Sequence, residues 1–196
     1  QLAAMTTTQV TTLSTTQLRA LTAVQVKALA TESIGLLTSD QLNGLSTTQL
    51  AALTTLQVSN LTTTQISDMA STQLRAFSAA QIAALGTSNI EQLTSEQIAG
   101  LTSVQLGAMT TAQFSLMATE EVASMTTQQI AGLSAAALNA LSTTLLGYVD
   151  VSSLTATQVS GLSTTQVVNL TTEQIASLST LRMTSLTATQ LAAMTT

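Results

Sequence analysis

The sequence predicts an all-α fold, a solenoid or superhelix of short helices with one helix per eight-residue repeat. Three observations predict it. Leucine-like residues return every eight positions, a hydroxyl–x–x–glutamine pattern follows each of them, and the few charged residues fall where a helix favours them.

The period comes first. With the leucine taken as position one, the slot is filled from Met5, Leu13, Leu21 and Leu29 through Leu93 and Leu101 to Leu133, Leu141 and Val149. It resumes at Leu154, Leu162, Leu170, Leu178, Leu186 and Met194. Position six is apolar throughout, from Val10 and Leu18 to Met183 and Leu191, and position five is Gln in most copies. One octad array therefore accounts for residues 1–196, with no composition shift to mark a linker or a second domain. A continuous helix does not suit this period. Eight residues advance about 800°, so the apolar pair drifts about 80° per octad and makes no stripe. An extended strand does not suit it either, because positions one and six have opposite parity and would face opposite sides.

A helix restarted in every octad suits it. In LTSEQIAGL (93–101), Thr94 stands as N-cap and Gln97 three residues later can reach back to the cap N–H, the spacing of a capping box. Leu93 and Ile98 then occupy the two slots of a hydrophobic staple. The octad 170–178 repeats this with Thr171 and Gln174 as cap pair. Leu93, Ile98, Leu101, Leu170, Ile175 and Leu178 are the predicted core of the two stretches. Where Ala30, Ala70 and Ala118 take the cap slot, the expectation is that the cap slides to Thr31, Ser71 and Thr119. Gln at position five completes the cap; the alternative is a side-chain ladder inside the coil.

Charge placement agrees. Glu32, Asp40, Glu96, Glu120 and Glu173 stand at position four, in the first turn, and Arg19, Lys27 and Arg75 at position seven, in the last. The helix macrodipole favours this order. Glu91, Asp68 and Arg182 do not follow it. Each predicted helix has about six or seven residues, too short to persist alone in water, so neighbours must hold it. The small residues at position eight let the next backbone approach. The array slips once, at 149–154: Leu154 serves as position six of one copy and position one of the next, which predicts a kink or tightened corner.

The composition excludes several functions. Of 196 residues, 45% are hydrophobic and only 7% charged, with no Pro, Cys, His or Trp. A net charge of −5 with four scattered basic residues argues against nucleic acid. Thr, Ser and Gln interrupt every apolar run, so no membrane-inserted helix is expected. Without His or Cys, the common catalytic triads and zinc sites cannot be assembled, and no enzyme activity, cofactor or metal is expected. The pair Glu120 and Glu121 reads as a first-turn charge beside a capping glutamate, and Asp150 as an N-cap. Met109, Met117 and Met125 fill position one, and Phe77 and Phe114 are core residues too.

The motif LTTEQIASL (170–178) resembles the opening of the repeats of transcription-activator-like effectors. The likeness covers one short helix, and their basic superhelix and base-reading dipeptide have no counterpart here. Over its whole length the chain resembles the Thr-, Gln- and Ala-rich octapeptide arrays of giant bacterial surface or secreted proteins, through L-[ST]-x-x-Q-[ILV]-x-x as in LSTTQLAA (45–52). That resemblance implies an extracellular or cell-surface structural role, as a stalk, fibre or filament. No polar terminal repeat is visible, so self-association or continuation into further repeats is expected. Two other readings are a repeat scaffold that binds a peptide or glycan, and an ice-binding protein that uses its regular threonines.

Overall fold

The computed structural model describes residues 5–194. It is all-α: 23 short helices and one 3-10 turn follow one another, with no strand among the described residues. The contacts group the chain into two compact units, Gln1–Leu101 and Thr102–Thr196. The boundary falls between positions one and two of a regular octad, 101–108.

Each octad folds by the same local logic. The position-two residue is extended, as at Ser46 (φ −70°, ψ 158°), and its hydroxyl accepts the N–H of Gln49 at 3.3 Å, while the Ser46 N–H donates to Gln49 Oε1 at 2.8 Å. The helix Thr47–Ala52 follows. It closes when the N–H of Leu53 turns back three residues to the Leu50 carbonyl, 3.2 Å away. Leu53 is itself near-extended, so the two residues Leu53 and Thr54 form the whole corner. No described residue has a positive φ. This is why the corners need neither glycine nor proline.

The helices contain four to six residues, shorter than the six or seven expected. The tightened i→i+3 closure at position one takes the last turn out of α geometry. The cap does not slide at the alanines either. Ala30, Ala70 and Ala118 remain the N-cap residues, and the helices start one residue later at Thr31, Ser71 and Thr119. The corner fixes the start of the helix, and a missing hydroxyl does not move it.

In the first unit each helix packs on the third helix after it: Ala23–Lys27 on Thr47–Ala52, and Ser71–Leu74 on Ser95–Gly100. In the second unit Ser103–Gly107 packs on Thr127–Ala131, and Thr111–Phe114 on Ala135–Ala140. Position six is the deepest row. Leu18, Val26, Ile34, Leu42 and Leu50 have no exposed surface, and each contributes about 2 kcal/mol by leaving water. Position one forms a second buried row, including Leu53, Met69 and Phe77 in the first unit and Met109 in the second.

Position eight sets how closely turns approach. A Cβ added to Gly100 would lie 2.7 Å from Ser71 Cβ, and one added to Gly132 would lie 2.6 Å from Ser103 Cβ. At these places the backbone of one helix lies against position three of an earlier turn.

At the slip, the 3-10 turn Val151–Ser153 replaces a helix. Asp150 caps it, its carboxylate accepting from Ser152 N (3.0 Å), Ser152 Oγ (2.6 Å) and Ser153 Oγ (2.6 Å). The turn contacts Thr127–Ala131 behind it and Thr172–Ser177 ahead of it, so it fills the stacking place of a full helix. The corner is tightened, and stacking runs through it.

Candidate functional site

The polar residues that the fold buries are nearly all at position five, where Gln49, Gln57, Gln65, Gln81 and Gln97 are almost fully enclosed. A buried amide must find partners for its oxygen and its nitrogen. The oxygen accepts the cap N–H within the octad, at 2.8 Å from Thr62 to Gln65. The nitrogen leaves the octad. Gln65 Nε2 donates to the carbonyls of Ile34 at 3.0 Å and Leu37 at 2.7 Å, 31 and 28 residues earlier.

The same pair of bonds recurs. Gln49 reaches Leu18 and Leu21, Gln57 reaches Val26 and Leu29, Gln81 reaches Leu50 and Leu53, and Gln97 reaches Ile66 and Met69. In these five the acceptors are positions six and one of an earlier turn, at the C-terminal end of a helix, where the i→i+4 donors are missing; Gln41 instead bonds Thr11 and Leu13, and Gln73 only Asn43, at position seven. An offset of 28 residues is three and a half octads, so each glutamine stands over a corner of the earlier turn. Glutamine is neither only a cap nor a rung in a ladder of side chains. It ties the start of one helix to the end of another.

The predicted cap residues take part in this network. Thr94 Oγ1 accepts from Gln97 N at 3.2 Å, and Thr171 Oγ1 accepts from Gln174 N at 3.1 Å. Gln174 Nε2 donates to the carbonyls of Leu146 and Val149. Leu93, Ile98, Leu101 and Leu178 are buried, whereas Leu170 and Ile175 are only half-buried. No later turn among the described residues covers those two.

Across the slip the sequence offsets change and the partners do not. Gln158 donates to Ile130 and Leu133, both at 2.7 Å, 28 and 25 residues back. Gln166 reaches Leu138 and Leu141 with the same offsets. Gln190, beyond the slip, returns to 31 and 28 with Val159 and Leu162.

Substitutions at position five show what the slot requires. Asn89, one methylene shorter, reaches only the Leu61 carbonyl at 2.9 Å. Arg182 donates through Nε to the Leu154 carbonyl and through Nη1 to Ser179 Oγ. Arg182 thus supplies the donor half of a position-five glutamine, and the structure corrects the sequence reading of its charge: in the four-residue helix Thr180–Met183 it stands in the last turn. Sequence reasoning missed both stand-ins, although their octad position was the signal. In the second unit Ala137 and Leu145 occupy the slot without an amide, and their N–H groups are held only by Ser134 and Ser142. Asn139 partly replaces the cap bond of Gln166: its Oδ1 accepts from Ser163 N at 2.9 Å, leaving Gln166 Oε1 buried without a partner.

Glu121 is the acidic substitute. It is 4% exposed and accepts the Ala118 N–H at 2.8 Å. Burial pushes its carboxyl above the usual range, the cap bond opposes this, and the charge of Glu120 adds to the rise. Glu120 is exposed in the first turn, so the pair does not form a shared acidic cleft. Asp150 is held below the ordinary range, first by the hydroxyls of Ser152 and Ser153. Among the described residues no three His, Cys, Asp or Glu gather as metal ligands, and no helix is long and apolar enough to cross a membrane.

No curated protein matches the chain. A family model described as the ALTTAQ repeat matches residues 66–103 and 145–180, the second stretch spanning the shortened octad. Over those stretches this all-helical repeat array is similar to the ALTTAQ repeat, whose description reads as the sequence of a corner, a hydroxyl cap and a position-five glutamine.

Proposed function

We propose that the chain is a structural repeat module, a piece of a stalk, fibre or filament at the surface of a bacterial cell or in its secretions. The observation that carries this reading is the use of the glutamines. The polar side chains that recur most regularly, and that the fold buries, bind the chain's own backbone, so the recurring polar chemistry serves the scaffold. Few charges support assembly, because they offer little electrostatic repulsion between packed copies, and a polar surface of Thr and Ser in place of Lys and Glu favours the extracellular setting.

Negative-stain imaging of the purified chain tests the reading. Elongated particles or fibres are the expected result, and compact spheres overturn it. The reading as a scaffold for a peptide or glycan rests on a different observation: Val24 (77%), Leu56 (63%) and Val104 (71%) expose large aliphatic groups at position four, on the outer side of their helices. A glycan and peptide array probed with wild type and a Val24→Ser, Leu56→Ser variant tests it; binding that survives the variant removes its basis.

A further inference from the structure

Resting on the structural reading above for its use, we propose that the array carries a seam built to open. Under load the turn 133–154 parts reversibly from the turn before it, ahead of the turns that glutamines tie. Three octads complete a turn, since each helix packs on the third after it. The three position-five slots of this turn are Ala137, Leu145 and Ser153. The first two have no polar side chain, and the Ser153 hydroxyl donates within its own turn, to Asp150 at 2.6 Å. Single slots lack a glutamine elsewhere, as at Ser33 and Glu121, but three in a row lack an amide or guanidinium only here. The helix starts are weakened as well. Ser134 and Ser142 accept the N–H groups of Ala137 and Leu145, without the returning bond of a capping box.

The other side of the same turn is tied more heavily. Gln158, Gln166 and Gln174 donate to the carbonyls of Leu133, Leu141 and Val149 at 2.7, 3.3 and 3.1 Å. Asn139 adds two further bonds, to the Gly161 carbonyl at 2.8 Å and from the Ser163 N–H at 2.9 Å. A turn held by hydrogen bonds on one side only parts on the other, because such arrays open between neighbours. The corners beneath the untied slots, 28 residues earlier, are Met109, Met117 and Met125, all three buried. Leucine fills this position in most other octads. Methionine is unbranched and flexible, so it repacks where a branched side chain resists. The seam thus joins a turn without cross-turn amides to a turn whose corners are all methionine. Apolar packing remains, as between Thr111–Phe114 and Ala135–Ala140. In a stalk such a join yields first and closes again, so the array lengthens at one place and keeps its other turns.

Hydrogen peroxide footprinting of the 196-residue chain in graded urea tests this, with the sulfoxide at each methionine read by peptide mass spectrometry. Met69 is the control. It fills the same octad position, is buried, and its carbonyl receives Gln97 Nε2 at 2.7 Å. Below the main unfolding transition, Met109, Met117 and Met125 are expected to oxidise together, at least about tenfold faster than Met69, a factor that about two missing net hydrogen bonds supply. Diluting out the urea before adding peroxide should restore their protection. Ala137→Gln with Leu145→Gln supplies two of the three amides and should slow Met109 and Met117 towards the rate of Met69, circular dichroism confirming that the variant stays helical. Oxidation of all four methionines at one rate in wild type, or of Met69 first, overturns the seam. Protection that does not return on dilution overturns its reversibility, and a helical variant with unchanged rates overturns the role of the missing amides. The order of oxidation does not depend on particle shape. Compact particles in micrographs overturn the stalk reading, and early oxidation of the three methionines supports the seam in either case.

Discussion

The turns before Leu101 and the turns around the shortened octad hold together by the same bonds at different sequence distances. Gln49, Gln57, Gln65, Gln81 and Gln97 reach back 28 and 31 residues. Gln158, Gln166 and Gln174 reach back 25 and 28. The difference is the three residues dropped at the slip. The lesson is that stacking register is set by octad position: a turn can lose three residues if a 3-10 turn still fills the stacking place and the corner carbonyls stay where the next glutamine finds them.

The sharpest way to break this comparison is to remove one glutamine from each region. Gln65→Leu and Gln158→Leu each lose the cap acceptor and leave two carbonyls without their amide. Each is expected to cost about 2–4 kcal/mol in urea denaturation. Hydrogen exchange should place the loss in the adjacent turns, because arrays of this kind open locally. A cost below about 1 kcal/mol for Gln158→Leu alone would mean that the shortened region is held by something else.

Transplanting the slip tests its converse. Replacing residues 53–60 with the sequence of 149–153 should leave the first unit folded, at a cost close to that of losing Gln57 alone, about 2–4 kcal/mol. Collapse of the far-ultraviolet helical signal would show that the first unit depends on residue count after all.

Close approach of turns gives a smaller effect. Gly100→Ala and Gly132→Ala, one per unit, force a methyl within 2.7 and 2.6 Å of serine Cβ atoms. Each is expected to lower stability by about 1–3 kcal/mol. Gly86→Ala, with nothing within 4 Å of the added carbon, serves as the neutral control.

Glu121 gives a pH test. Its folded-state pKa is raised by burial, so in the window just above the ordinary carboxylate range the folded chain binds a proton that the unfolded chain has released. Its favourable contribution is full below that window and is lost as pH rises through the raised value. Glu121→Gln should stabilise the protein at pH 7, by on the order of 1 kcal/mol, and remove this slope from the stability–pH curve. An unchanged slope would place the titration elsewhere.

The smallest change is a repair. Ala137 stands where a glutamine would serve the carbonyls of Leu106 and Met109, 31 and 28 residues earlier in the common register. Ala137→Gln is expected to add about 1 kcal/mol. A destabilised variant would show that these turns have closed over the missing side chain.

Much of the fold was legible because its signals are local. Thr94 and Gln97 stand three residues apart, Leu93 and Ile98 five, and both spacings describe one helix start and nothing beyond it. The second role of Gln97 was not legible. Its partners Ile66 and Met69 lie three and a half octads away, and no spacing within the repeat encodes that distance. The bond of Arg182 was not legible for the same reason, since it goes to Leu154 of an earlier turn.

The sequence by itself determined where each helix begins, which two rows are apolar, and that the array is helical, because capping and amphipathic spacing act over a few residues. Tertiary structure alone decided how many octads separate stacked turns, how short the helices become, and what the glutamine nitrogen does. Those depend on where one corner comes to rest against another. That is settled by packing small residues at position eight and by pairing carbonyls that a helix of four to six residues cannot satisfy for itself.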